Sequence, residues 1–347
     1  MSRLRAGVFG CGSDAVWSAA RIRAQAATEL AGCELAAAAD TDPAALRAFG
    51  ATTGVDLLVD SFEALLRTGI DFVILAGPPD ERAEQVAAAV DQGVHCLTHA
   101  PLAPDAAAAD AMVAAAEAAG LKLGVIARGQ DDPVFEQIRQ MIAADWLGGV
   151  VHVQALAGRD DLLRVPPELE DPRIRRLASG TPLLHLGAHH VHLATWLTGR
   201  QAVSATAATG SGFLPLPADG IVATVVRRGG VLCTHTASHL LVADQVAIHG
   251  TDGFVRVAGD RLLMRGRDEF RGEAFDYLVP GSEQGLNRAD FAAAAERAAP
   301  ALELHTRFGR WIDDRDDFPC PGEQAAADMR LLDAIERAAT SERTEAV

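Results

Sequence analysis

The 347-residue chain is 49% hydrophobic and 22% charged, the balance of a globular protein with material for two cores. Its formal net charge of −16 argues against a nucleic-acid partner, which would need clustered positive charge. No apolar run reaches the roughly 20 residues of a bilayer span, and five scattered cysteines without CxxC spacing read as reduced thiols, so no membrane partner and no cysteine metal site are expected.

The start of the chain runs straight into a strand-like segment rather than a leader, which points to a cytoplasmic protein. RAGVFG (5–10) reads as a strand ending in glycine, followed by a helix over about 14–31. The junction, VFGCGSDA, places Gly10, Gly12 and Ala15 as G-x-G-x-x-A between that strand and helix, with Ser13 in the turn. Glycines there allow a tight turn and close approach of backbone N–H groups to a pyrophosphate, and the helix N-terminus adds partial positive charge. Asp14 is discordant, since a carboxylate in a phosphate loop is tolerated only if it points outward.

CELAAAAD reads as a second strand ending at Asp40, with a helix from Pro43. A carboxylate at that place accepts from ribose hydroxyls and repels a 2′-phosphate, favouring NAD over NADP; capping of the next helix is the alternative role. DFVILAGPP (71–79) is a buried strand stopped by a Gly-Pro-Pro turn, and GVHCLTHAP is a fourth strand ending at Pro101. Gly77, Pro78 and Pro101 are thus further cofactor-lining candidates. An alanine-rich helix fills 104–120 and LKLGVI closes the set; its Lys122 is the only lysine in the chain, so a lysine acid or Schiff base has almost no candidate. Apolar runs alternating with helices of this length specify a parallel sheet covered on both faces.

After about residue 127 the rhythm changes. A helix over 132–146 leads to GGVVHVQALAG and then to a histidine-rich helix near 182–198. AVSATAATG, GIVATVVRRGG, VLCTHTASHL and DQVAIHGTDGFVRVAG follow as β-like runs, and a final helix covers 324–340. Glycine punctuation and rough alternation suggest a largely antiparallel sheet with one open face. The expected architecture is α/β: a Rossmann dinucleotide-binding domain over 1–127, an α+β substrate and oligomerisation domain over 128–325, and a C-terminal helix and tail over 326–347 that packs back.

These features, together with AGPPDERAEQVAAAVDQGVHCLTHAPLA, SGTPLLHLGAHHVHLATWLTG and IHGTDGFVRV, resemble the glucose–fructose oxidoreductase and inositol dehydrogenase (Gfo/Idh/MocA) family. The resemblance implies an NAD(P)-dependent oxidoreductase of a small polar substrate, sugar-, cyclitol- or hydroxy-acid-like, assembled as a homodimer or homotetramer. The departures fall on the chemistry. Where the family carries Glu-Lys-Pro, this chain has His99-Ala100-Pro101, so the lysine that polarises the substrate oxygen is replaced by Ala100. A family carboxylate stands here as His185, the family histidine is retained as His189, and a second carboxylate aligns with His192.

Spaced by four and three residues, His185, His189 and His192 would share one stripe of a helix, with His190 off it. A neutral imidazole serves as a general base, making His189, His185 and His99 the catalytic candidates. Alternatively His185, His189 and His192 hold a divalent metal such as zinc, two at a time, with His99, His235 or His239 completing the shell. Tyr277 is a lesser acid/base candidate, and Arg173, Arg175 and Arg176 would meet an anionic substrate or form a solvated turn. Three functions therefore stay open: an oxidoreductase with histidine acid/base chemistry, a redox-neutral metal-dependent lyase or hydrolase, and a non-catalytic ligand-binding homologue.

Overall fold

The structure is a computed structural model that describes residues 3–12, 33–127, 129–130, 132–163, 182–211, 220–267, 283–298 and 304–347. The chain divides into two compact units, residues 1–127 with 302–329 and residues 128–301 with 330–347. The helix expected over 14–31 lies outside the described residues, as do Ser13, Asp14, Ala15, Arg173, Arg175, Arg176 and Tyr277.

The first unit is built on six strands: β1 (Leu4–Phe9), β2 (Cys33–Ala39), β3 (Leu58–Val59), β4 (Phe72–Leu75), β5 (His95–His99) and β6 (Leu123–Ile126). They lie in the order β3-β2-β1-β4-β5-β6, and every neighbouring pair is parallel. Every residue of β4 is buried, as the unbroken apolar run FVIL requires of a strand covered on both faces. The strand order reverses between β1 and β4, which makes the carboxyl ends of those two strands the switch point of the sheet. Pro43–Thr53 begins where Asp42 caps it, its carboxylate accepting from Ala44 N at 2.8 Å, and ends on Gly54 at φ 76°.

The segment 302–329 belongs to the first unit, although 302–325 was expected in the second domain and 326–329 in the C-terminal helix. Phe308, on the helix Leu304–Ile312, is fully buried, with its ring 5.5 Å from that of Phe72 and 5.4 Å from that of Phe318. Gly124 makes room for it, because a Cβ there would fall 2.7 Å from the Phe308 ring. Val125 N donates to Cys320 O at 2.9 Å, so the returning chain runs along the edge of β6.

The second unit holds β7 (Val150–Gly158), β8 (Ser204–Gly210), β9 (Ile221–Arg228), β10 (Val231–Ser238), β11 (Ala243–Gly250), β12 (Phe254–Ala258), β13 (Arg261–Arg265), β14 (Gln284–Asn287) and β15 (Glu345–Ala346). Their order is β14-β13-β12-β11-β7-β10-β9-β8-β15. All neighbours are antiparallel except β7 and β10, which run parallel. Burial alternates along β9, with Val222, Thr224, Val226 and Arg228 inward and Ala223, Val225 and Arg227 outward, as a half-covered sheet demands. The tail adds β15 beside β8, the last strand at that edge. Among the described residues, no helix is long and apolar enough to cross a membrane.

Replacing Phe308 with Ala removes a fully buried ring from the first unit. It should cost about 3–5 kcal/mol in urea unfolding; a loss under about 1 kcal/mol would show that 302–329 does not pack there.

Candidate functional site

The turn after β1 is held by backbone geometry and by one carboxylate. Gly10 has φ 89°, a conformation that side-chain-bearing residues rarely adopt, and a Cβ on it would come 3.1 Å from Gly77 N. A Cβ on Gly12 would sit 2.2 Å from the Ala45 methyl, so only glycine lets this turn lie against the helix Pro43–Thr53. Asp40, one residue beyond β2 and only 8% exposed, fastens the turn. Its Oδ2 accepts from Gly12 N at 2.7 Å and its Oδ1 from Asp42 N at 2.8 Å. It does not cap the helix, since Asp42 has that role. Each carboxylate oxygen keeps a second lone pair, so acceptor capacity for vicinal hydroxyls survives. A tight glycine turn at the switch point with a carboxylate at the neighbouring strand end is a donor and acceptor set that fits NAD.

Beyond this turn the carboxyl ends of β4 and β5 carry Gly77, Pro78, His99 and Pro101. A residue that the sequence reading missed joins them. Arg82, on the helix Arg82–Asp91, is completely buried. It donates from Nη2 to Gly77 O at 2.9 Å, and from Nη1 to His99 O at 2.6 Å and to Pro101 O. Burial pushes its pKa down to about 9, leaving it charged at neutral pH. Its signal was present in the sequence: Arg82, Val86 and Ala89 fall on one helical stripe, and all three are buried. His99 is itself buried at the end of β5.

In the second unit the histidine helix differs from expectation. Leu183–Gly187 is a π-helical turn, and regular α-helix runs only over Ala188–Thr198. The wider turn breaks the spacing that would have set His185 over His189 on one straight stripe. His185 instead lies beside His239, with ring centroids 5.8 Å apart, while His190 and His192 are buried. His192 Nε2 is 2.5 Å from the side-chain amide nitrogen of Gln130, and His190 Nε2 is 3.7 Å from Asp244 Oδ1. Among the described residues, His185, His189 and His192 do not bring their ligand atoms within 4.8 Å of one another, so this trio does not fit one metal ion.

Electrostatics sort the imidazoles further. Burial, reinforced by neighbouring His239, pushes His185 down to about 4, so it is neutral at pH 7 and a weak proton acceptor. His235, fully buried on β10, is pushed well below its usual value by burial and by the Arg228 guanidinium. Arg228, 1% exposed, donates to Thr195 Oγ1 at 2.6 Å and to Val191 O at 3.1 Å, clamping the histidine helix to β9. It too was marked in the sequence, standing in the inward phase of β9.

Two outcomes follow. Replacing Asp40 with Ala strands the Gly12 and Asp42 amides and should lower unfolding stability by about 1–3 kcal/mol; an unchanged melting temperature would contradict its role in the turn. His185 is neutral in both states above the ordinary histidine value of 6.5. Below it the unfolded chain takes a proton that the folded chain refuses until about pH 4. Stability should therefore fall across that window, by at most about 1.4 kcal/mol per pH unit for each such histidine. Melting curves of the protein and of its His185→Gln variant measure the slope, and equal slopes would refute the assignment.

Comparison with known proteins agrees with this geometry. Residues 4–127 match the model of the oxidoreductase family with an NAD-binding Rossmann fold, GFO_IDH_MocA, and residues 135–256 match a GFO/IDH/MocA C-terminal domain. The myo-inositol dehydrogenase Hyg17 of Streptomyces leeuwenhoekii is 31% identical over 170 residues, 48% of this chain and 49% of that protein. The chain thus spans about half the length of the first curated relatives that it matches. An NAD-binding oxidoreductase from Klebsiella pneumoniae shares the fold at TM-score 0.80 and 21% identity, covering 100% of this chain and 99% of that one. So does the WlbA dehydrogenase of Bordetella pertussis, solved with NADH and UDP-GlcNAcA, at TM-score 0.79 and 21% identity, covering 99% and 98%. With its parallel first sheet, its mostly antiparallel second sheet and both family models matched in order along its length, the chain belongs to the Gfo/Idh/MocA family.

Proposed function

We propose that the chain is an NAD-dependent oxidoreductase of a small sugar- or cyclitol-like substrate, with histidine in place of lysine in its proton chemistry. The observation that carries this reading is Asp40, fixed by Gly12 N and Asp42 N at the carboxyl end of β2 beside the glycine turn. When bound, NAD would supply the hydride acceptor or donor. Gly10 and Gly12 would admit the pyrophosphate, with Ser13 and Ala15 completing the motif, and Asp40 would accept from the adenosine ribose hydroxyls. Gly77, Pro78 and Pro101 would shape the nicotinamide end. The relative that acts on myo-inositol and the related fold solved with NADH support the same class of substrate and cofactor.

His189 is assigned the proton transfer. It is half-buried, in the first turn of the regular helix, and a single imidazole takes a proton from a hydroxyl as the carbon is oxidised and returns it in reverse. His185, held neutral, is assigned hydrogen bonding to substrate or to His189 rather than proton storage. His99 is a candidate hydrogen-bonding group at the end of β5, where the family lysine's neighbour stands. No step is assigned to a metal, because the donors named for one do not converge. The reading includes self-association through the open face of the second sheet, where Val225 (43% exposed) and Leu232 (48% exposed) lie on neighbouring strands.

The test is turnover of a panel of cyclitols and aldoses with NAD⁺, followed as NADH absorbance. The His189→Ala variant should lose about 10²-fold or more in kcat with NAD⁺ affinity unchanged. Full activity in that variant would remove His189 from the mechanism, and NAD⁺ binding without turnover of any panel member would refute the substrate class.

A further inference from the structure

In the sheet order β3-β2-β1-β4-β5-β6, a dinucleotide bound across the switch point divides into two halves. Its adenosine half falls at the ends of β1 and β2, where Asp40 stands. Its other half falls at the ends of β4 and β5. Those two strand ends are separate turns, joined in sequence only through the helix Arg82–Asp91 between them. A loose pair of turns makes a poor binding edge, because ordering it on binding costs free energy.

Arg82 joins the two turns directly. One guanidinium nitrogen bonds the Gly77 carbonyl after β4, and the other bonds the carbonyls of His99 and Pro101 at and after β5. The planar fork reaches both turns at once, which a lysine ammonium on a flexible stem does not do in the same geometry. Thr98 Oγ1 adds a second tie by donating to Leu75 O at 3.1 Å, but this lies within the strands rather than between the turns. The arginine is fully buried, so it does not itself touch a ligand.

We propose that Arg82 is a positioning residue for the nicotinamide end of the cofactor, holding the turns after β4 and β5 at the separation that binds it. The proposal rests on the NAD reading above. It differs from a purely structural role in that the two halves of the dinucleotide respond differently.

The experiment titrates NAD⁺ and adenosine diphosphoribose, which lacks the nicotinamide, into the whole protein and into Arg82→Lys by calorimetry. The unmodified protein should bind both. Arg82→Lys should bind NAD⁺ at least tenfold more weakly and adenosine diphosphoribose within twofold of the unmodified protein. Equal loss for both ligands would mean a general structural role and overturn the proposal, as would no loss for either. Failure of the unmodified protein to bind either ligand would instead refute the NAD reading. Should Arg82→Lys not fold, Arg82→Gln, whose amide reaches only one of the two turns, is read by the same criterion.

Discussion

The bond from Gly12 N to Asp40 is the interaction on which the rest of the candidate site depends. A carboxylate that is only 8% exposed is costly unless its oxygens are paired, and here two backbone amides pair them. The same carboxylate is the proposed ribose acceptor, so the shape of the phosphate turn and the chemistry of the neighbouring strand end are set by one group. Steric constraint acts in the same direction. The φ of Gly10 and the close approach of Gly12 to Ala45 leave room only for glycine, which fixes the path of residues 10–12 against Gly77 and the helix Pro43–Thr53.

Each unit also uses a buried arginine to hold loops or helices that carry candidate site residues. Arg82 ties the ends of β4 and β5, and Arg228 ties β9 to the helix bearing His189, His190 and His192. In both, the charge is met largely by carbonyl dipoles, which are acceptors with fixed directions. A guanidinium in that setting acts as a spacer of defined shape, since moving either partner leaves a buried donor unsatisfied. The turn His99-Ala100-Pro101, which the resemblance sets against the family's Glu-Lys-Pro, thus has a backbone held by Arg82.

Most of the first unit was legible because parallel strands buried on both faces leave continuous apolar runs, as in DFVIL, and glycine marks the turns. The place of Asp40 at a strand end was legible for a similar reason, since it ends an apolar run. The packing of 302–329 with the first unit was not, because it depends on the Phe308 ring meeting Gly124 across a long stretch of sequence, and no local pattern reports such a contact. The parallel pairing of β7 with β10 was hidden likewise, because strand alternation gives the buried face and not the neighbour. The π-helical turn at Leu183–Gly187 escaped because its residues have ordinary helix-forming composition, and it disrupted the histidine stripe on which the metal reading rested. Arg82 and Arg228 were readable by phase, each on an inward position of its element, but an arginine is more readily taken for a surface residue.

In the proposed function the Asp40-held turn receives the adenosine end of NAD. The most direct test compares the affinities of NAD⁺ and NADP⁺ for the unmodified protein and for Asp40→Ser. A carboxylate at that position opposes a 2′-phosphate, so the unmodified protein should bind NADP⁺ at least tenfold more weakly than NAD⁺, and Asp40→Ser should narrow the difference. Equal affinity for the two cofactors in the unmodified protein, or a preference that the substitution leaves untouched, would contradict it.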